Sequence, residues 1–191
     1  MHIRNLALLV AVATPAAWAH GQGLHNHNAD LIAGVLHPFS GLDHLLAMVA
    51  VGLWAVQQGG RALWVLPTSF VSAMAVGAAP GMSGAAFAGM EAGIALSVLS
   101  LGVLVAMHRR MFLPLAAALT ALFALFHGVA HGQEMPLAAL PWGYGLGMLS
   151  ATALLHAAGV FAGMKLRRRF LALSGTAISL VGFGMLFGFA V

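Results

Sequence analysis

The sequence predicts an all-α, polytopic membrane protein: a six-helix transmembrane bundle that follows a cleavable signal peptide. Three observations lead there. Hydrophobic residues make up 61% of the chain and charged ones only 6%, a balance that an ordinary soluble domain does not show. The apolar residues gather into runs of about the 20 that a bilayer-crossing helix needs. The few lysines and arginines sit in short clusters between those runs, as orientation signals do, so the formal charge of +4 does not point to nucleic acid. The chain has no cysteine, which excludes a disulfide staple and a thiolate metal site. Any metal must be held by imidazole, carboxylate, carbonyl or thioether groups. Ten histidines against four acidic residues is the oddity of so apolar a chain.

Taken in order, residues 1–19 open with His2 and Arg4, run through a short apolar stretch from Leu6 to Ala13, and close on Ala17, Trp18 and Ala19. That is the layout of a secretory signal peptide with a small-x-small cleavage site. An uncleaved anchor is the rival reading, against which stand the short apolar stretch and Pro15. Residues 20–30, HGQGLHNHNAD, form a polar, histidine-rich tail in which His20, His25, His27 and Asp30 could capture a divalent cation loosely. The tract reads equally well as a plain soluble leader.

Residues 31–191 are expected to form the transmembrane domain, with spans at 31–57, 62–80, 84–107, 111–131, 141–163 and 170–190. Short connections imply antiparallel neighbours in one bundle. Arg61, Arg109 and Arg110, and Lys165 with Arg167, Arg168 and Arg169 follow the first, third and fifth spans, whereas the alternate connections carry no lysine or arginine. The positive-inside rule then turns the odd connections to the cytoplasm and both mature termini outward, to the periplasm of a bacterial inner membrane. Glycines four apart, at 89 and 93, 143 and 147, 159 and 163, and 184 and 188, are expected at helix contacts.

The chemistry lies in the first and fourth spans. Leu36 to Met48, LHPFSGLDHLLAM, carries His37, Asp43 and His44 inside an apolar run, where unpartnered ionisable groups are costly and mark a functional site. His37 and His44 are two turns apart on one helical face, while Asp43 points about 100° from His44. Asp43 is thus either a ligand or the partner that fixes a histidine tautomer. Pro38 and Gly41 predict a kink or break near His37 that re-aims these side chains, as broken helices do in transporters. In FHGVAHGQE, residues 126–134, His127 and His131 are one turn apart on one face, a bidentate grip on a transition metal. Glu91 lies at a similar depth and is either a further ligand or a packing group, and Glu134 is placed at the mouth or merely in the loop. The methionines near the site, Met48 and Met90, read as packing. His156, deeper and unaccompanied, reads as a hydrogen-bonding partner of a neighbouring helix, and His108 as an interfacial residue.

These segments, HPFSGLDH and FHGVAHGQE, together with the leader and the six spans, resemble the HupE/UreJ family of nickel permeases and hydrogenase or urease accessory proteins. The resemblance covers essentially the whole mature chain. It implies uptake of Ni²⁺, with Co²⁺ as the alternative, for metalloenzyme maturation. It also implies a metal role for His37, Asp43, His44, His127, His131 and Glu134.

The residues themselves leave nickel, cobalt and copper open. They suit a permease that passes the ion as substrate, with no prosthetic group and no enzymatic activity expected. They would also serve an intramembrane metal-dependent hydrolase whose metal activates water, or an accessory protein that binds without transporting. No phosphate-binding loop is present, so transport would be passive, ion-coupled or driven by a partner. The expected partners are the lipid bilayer and the divalent metal ion, with a second copy of the chain and a cytoplasmic metallochaperone as further candidates.

Overall fold

The structure is a computed structural model that describes residues 27–85 and 88–188. The expected signal peptide, His20 and His25 therefore lie outside the described residues, as does the side chain of His27. Among the described residues every regular element is helical: α1 (His27–Ser40), α2 (Leu42–Gln58), α3 (Ala62–Met82), α4 (Met90–Ala106), α5 (Leu113–Gln133), α6 (Pro141–Lys165) and α7 (Arg168–Leu186).

The expected first span is two helices, α1 and α2, which meet at 83°. Pro38 sits in the last turn of α1, where it lacks the N–H that would bond Gly34 and weakens the turn. The break itself falls three residues later, at Gly41, whose backbone is extended (φ −102°, ψ 122°). The Ser40 hydroxyl donates to the His37 carbonyl at 2.6 Å, closing the end of α1. The Gly41 carbonyl accepts from Leu45 N at 3.1 Å and opens α2.

Four helices, α3, α5, α6 and α7, are long and apolar enough to cross a membrane, and the bent α1–α2 pair passes as a fifth. The expected span at 84–107 is shorter than the sequence suggested. Gly84 and Gly89 take positive φ values of 79° and 82°, so α4 starts only at Met90 and has 17 residues. At 1.5 Å per residue that is about 26 Å, a little less than the roughly 30 Å of a hydrocarbon core.

Helix α2 is the axle. It touches each of the other helices and buries Ala47, Met48, Val51, Leu53, Trp54 and Ala55 around its circumference, as expected for a helix apolar on all sides. Around it α3 packs on α5, α4 on α7, and α6 on both α1 and α2. Close approach carries these contacts. A Cβ at Gly128 would collide with the Met74 carbonyl, one at Gly159 with the Val49 carbonyl, and one at Gly147 with the Leu31 carbonyl. Of the glycines singled out by spacing, Gly147, Gly159 and Gly163 lie at such contacts and Gly93 meets the Phe126 ring, but Gly89 and Gly188 belong to open turns. Outward-facing Phe112, Trp142, Leu154, Phe161 and Leu180 give the apolar surface that lipid requires.

Candidate metal centre

The break at Gly41 is what assembles the site. On a continuous helix His37 and His44 would be separated by about 10 Å of rise; with the chain turned, their ring centroids are 6.5 Å apart. Helix α5 runs past the same corner and inserts His127 and His131. The His131 ring lies 4.9 Å from that of His37 and 4.1 Å from that of His44, and the His44 and His127 rings are 4.9 Å apart. Four imidazoles from α1, α2 and α5 thus form one continuous cluster, and His44 is its hub, with ring contacts to the other three. His127 and His131 are fully buried and His44 nearly so; His37 is half-buried at the rim.

The hydrogen bonds around the cluster orient it. Asp43 Oδ1 accepts from the backbone N–H of His44 at 2.8 Å and faces His44 Nδ1 at 2.7 Å. With Nδ1–H donated to the carboxylate, His44 Nε2 carries the lone pair, and it is buried without a hydrogen-bond partner. Carboxylate–imidazole pairs of this kind orient metal-ligating histidines and raise their basicity. Gly41 makes room for the pair: a Cβ there would stand 2.7 Å from Asp43 Oδ1 and 3.3 Å from His44 Nδ1. Ser97 does the same for His127. Its hydroxyl donates to the Ile94 carbonyl at 2.7 Å, so its oxygen accepts from His127 Nε2 at 2.8 Å. A hydroxyl has only one proton to give, which leaves His127 Nδ1 as a buried, unpartnered lone pair. Both ring nitrogens of His131 are also buried and unpartnered.

At the mouth, His37 Nε2 pairs with Glu134 Oε2 at 2.9 Å. Donor atoms of His37, His131 and Glu134 lie within 4.8 Å of one another. Bonds to a transition metal are about 2.0–2.2 Å, so these donors would close inward around an ion. A cavity of about 280 Å³, lined by His37, Ser40, Gly41, Asp43, His44 and Glu134, opens beside them. Tyr144 stacks edge-on against His37 with centroids 5.7 Å apart, and its hydroxyl is buried and unpartnered.

Glu91 stands apart from the imidazoles. It is exposed in the first turn of α4 and lines a second cavity, of about 380 Å³, whose other wall includes Asp43. Asp30 faces the start of α6, where its carboxylate accepts from Leu140 N at 3.2 Å. His108 is half-buried in the turn after α4, and its Nδ1 faces the Ala106 carbonyl at 3.4 Å. His156 corrects the sequence reading: it makes no interhelical hydrogen bond, and both its ring nitrogens are buried without a partner. The sequence did not mark Ser97 as a partner of the cluster, nor Tyr144 or Phe70 as its neighbours. Nothing in the spacing along α3, α4 or α6 marks those side chains, because their partners come from other helices.

The fold and the site define a helical membrane protein with a buried, partly unpartnered histidine cluster of metal-ligating chemistry. Comparison with known proteins narrows this. The family described as HupE / UreJ protein matches residues 7–186. The chain is also 43% identical over 189 residues to Protein HupE of Rhizobium leguminosarum bv. viciae, covering 94% of this chain and 95% of that one. The chain belongs to the HupE/UreJ family. No solved structure matches it.

Proposed function

We propose that the chain is a bacterial inner-membrane permease that admits a divalent transition-metal ion, Ni²⁺ or Co²⁺, from the periplasm and delivers it for hydrogenase or urease maturation. One observation carries the reading: His44 Nε2, His127 Nδ1 and both nitrogens of His131 are buried and unpartnered in rings whose neighbouring centroids are 4.1–4.9 Å apart. Buried polar groups are otherwise nearly always satisfied, and a set of neighbouring imidazoles with unpartnered nitrogens is satisfied by a borderline cation. His37, Asp43, His44, His127 and His131 make up the proposed site. Glu134 receives the ion at the mouth, and Glu91 adds negative charge to the approach on the far side of Asp43.

The orientation follows from charge. Arg109 and Arg110 lie at the C-terminal end of α2, where Trp54 Nε1 donates to the Arg109 carbonyl at 2.9 Å, and the histidines gather at its N-terminal end. With the basic end cytoplasmic, the cluster faces the periplasm and the termini lie on that side. The chain then crosses six times, with α1–α2 as a broken first crossing and α4 as a short third one. The segment 1–19 acts as a cleaved leader, and the histidine-rich tail that follows it, with His20, His25 and His27, captures the ion before entry.

Flux of Ni²⁺ into proteoliposomes, measured beside equilibrium binding to the purified protein, tests the proposal. Saturable flux that His44→Ala and His127→Ala remove is the expected result. Tight binding with no flux would instead identify a metal-holding accessory protein or a metal-dependent hydrolase.

A further inference from the structure

The histidine chain does not stop at His127. On α3, Phe70 is fully buried, and its ring lies 5.7 Å from that of His127 and 5.1 Å, edge-on, from that of His156 on α6. His156 is itself 1% exposed, and neither of its nitrogens has a hydrogen-bond partner. One turn nearer the outer cluster on these two helices, Thr152 Oγ1 approaches Met74 Sδ at 3.9 Å. An imidazole, a hydroxyl and a thioether therefore line the α3–α6 seam, with the Phe70 ring between the imidazole and His127. His156 also lines an open apolar groove of about 610 Å³ between α3 and α6 that extends to Leu63 and the outward-facing Phe161 and Met164, at the end of the bundle opposite the outer histidines. No histidine, aspartate or glutamate of α3 or α6 lies beyond His156 in that direction.

Resting on the permease reading, we propose that His156 is a second, inner cation station and that Phe70 is the partition between it and the outer cluster. An imidazole left without a hydrogen bond in an apolar core costs stability, and a ligand that arrives only during transport accounts for its persistence. The phenyl ring has no lone pair to hold a cation and occupies the route between His127 and His156. Transfer of a divalent transition-metal ion therefore requires the Phe70 side chain to change rotamer. Binding at the outer cluster does not require it. Met74 and Thr152, one turn nearer the outer cluster on the same seam, offer weak soft and hard donors beside the partition.

Two substitutions of similar size separate ligation from packing: His156→Leu removes the donor, and His156→Met keeps one. In proteoliposomes, His156→Leu should lower Ni²⁺ flux by about tenfold or more and His156→Met should retain an intermediate rate. Both should bind Ni²⁺ at the outer cluster within about twofold of wild type. Flux unchanged in His156→Leu, or equally lost in both variants, would overturn the station. Should the wild-type protein carry no Ni²⁺ at all, the permease reading fails, and the station is judged by Co²⁺ binding to the purified chain. Phe70→Ala should then hold one more equivalent of Co²⁺ than the wild type, and the double variant Phe70→Ala/His156→Leu should lose it. No additional equivalent in Phe70→Ala would overturn the proposal independently of transport.

Discussion

The two ends of α2 carry buried polar side chains to opposite purposes. At its C-terminal end, Trp54 Nε1 donates to the Arg109 carbonyl at 2.9 Å, Gln57 Nε2 to the Val105 carbonyl at 3.0 Å, and Arg110 Nε to the Gln57 carbonyl at 2.8 Å. Gln58 Oε1 accepts from Met111 N at 2.9 Å. These bonds splice α2 to the turn between α4 and α5. Gln57 Oε1 and His108 Nε2 are the atoms left over there. At the N-terminal end the pattern reverses: one ring nitrogen each of His44 and His127 is bonded, to Asp43 and Ser97, and the other is buried and bare. Polar groups bonded mainly to the backbone of a neighbouring helix hold a fold together, whereas a cluster of imidazoles each anchored on one nitrogen at most and bare on the other suits a ligand.

That contrast can be broken by substitution. The largest effect is expected for His131→Leu, which removes the buried imidazole that contacts both His37 and His44 and should weaken Ni²⁺ binding by more than about 100-fold, beyond what loss of an outer partner costs. The same variant should unfold no more readily than wild type, because it deletes two unpartnered buried nitrogens. Titration calorimetry and a thermal melt in detergent read the two quantities side by side. Next comes Asp43→Asn, which keeps the shape but weakens the hold on the His44 tautomer. It should lower affinity by about 10- to 100-fold, and Gly41→Ala should fall in the same range by pushing the Asp43 carboxylate aside. Ser97→Ala should cost about tenfold in affinity, since His127 can then turn either nitrogen toward the ion. The smallest effect lies at the other end. Gln57→Leu should leave Ni²⁺ binding unchanged and reduce stability by about 1 kcal/mol, visible as a lower melting temperature. A loss of binding in that variant would dissolve the distinction between the two ends.

Much of this division was legible in the residues. The spacing of His127 and His131 on one face, the depth of His37 and His44, and the apolar runs are local properties, and helix geometry converts them directly into positions. The break near His37 was legible as well, because Pro38 and Gly41 announce it. What the sequence concealed was set by contacts between helices. Ser97 reaches His127 across α4 and α5, Gly41 matters for the atoms it leaves uncrowded, and Phe70 stands between two histidines from different helices. The late start of α4 was hidden for another reason. Hydropathy runs straight through residues 84–89, and the positive φ at Gly84 and Gly89 leaves no trace in an apolarity profile. For His156 the rule that a lone membrane histidine finds a hydrogen bond was outweighed by a neighbour, Phe70, that offers a ring edge and no acceptor.

The central claim is that imidazoles from α1, α2 and α5 share one cation. X-ray absorption spectroscopy of the Ni²⁺-loaded protein tests it most directly. A coordination shell containing several imidazole nitrogens is expected, with their characteristic multiple scattering reduced in His131→Leu. A shell of oxygens alone, identical in the wild type and in His131→Leu, would contradict it.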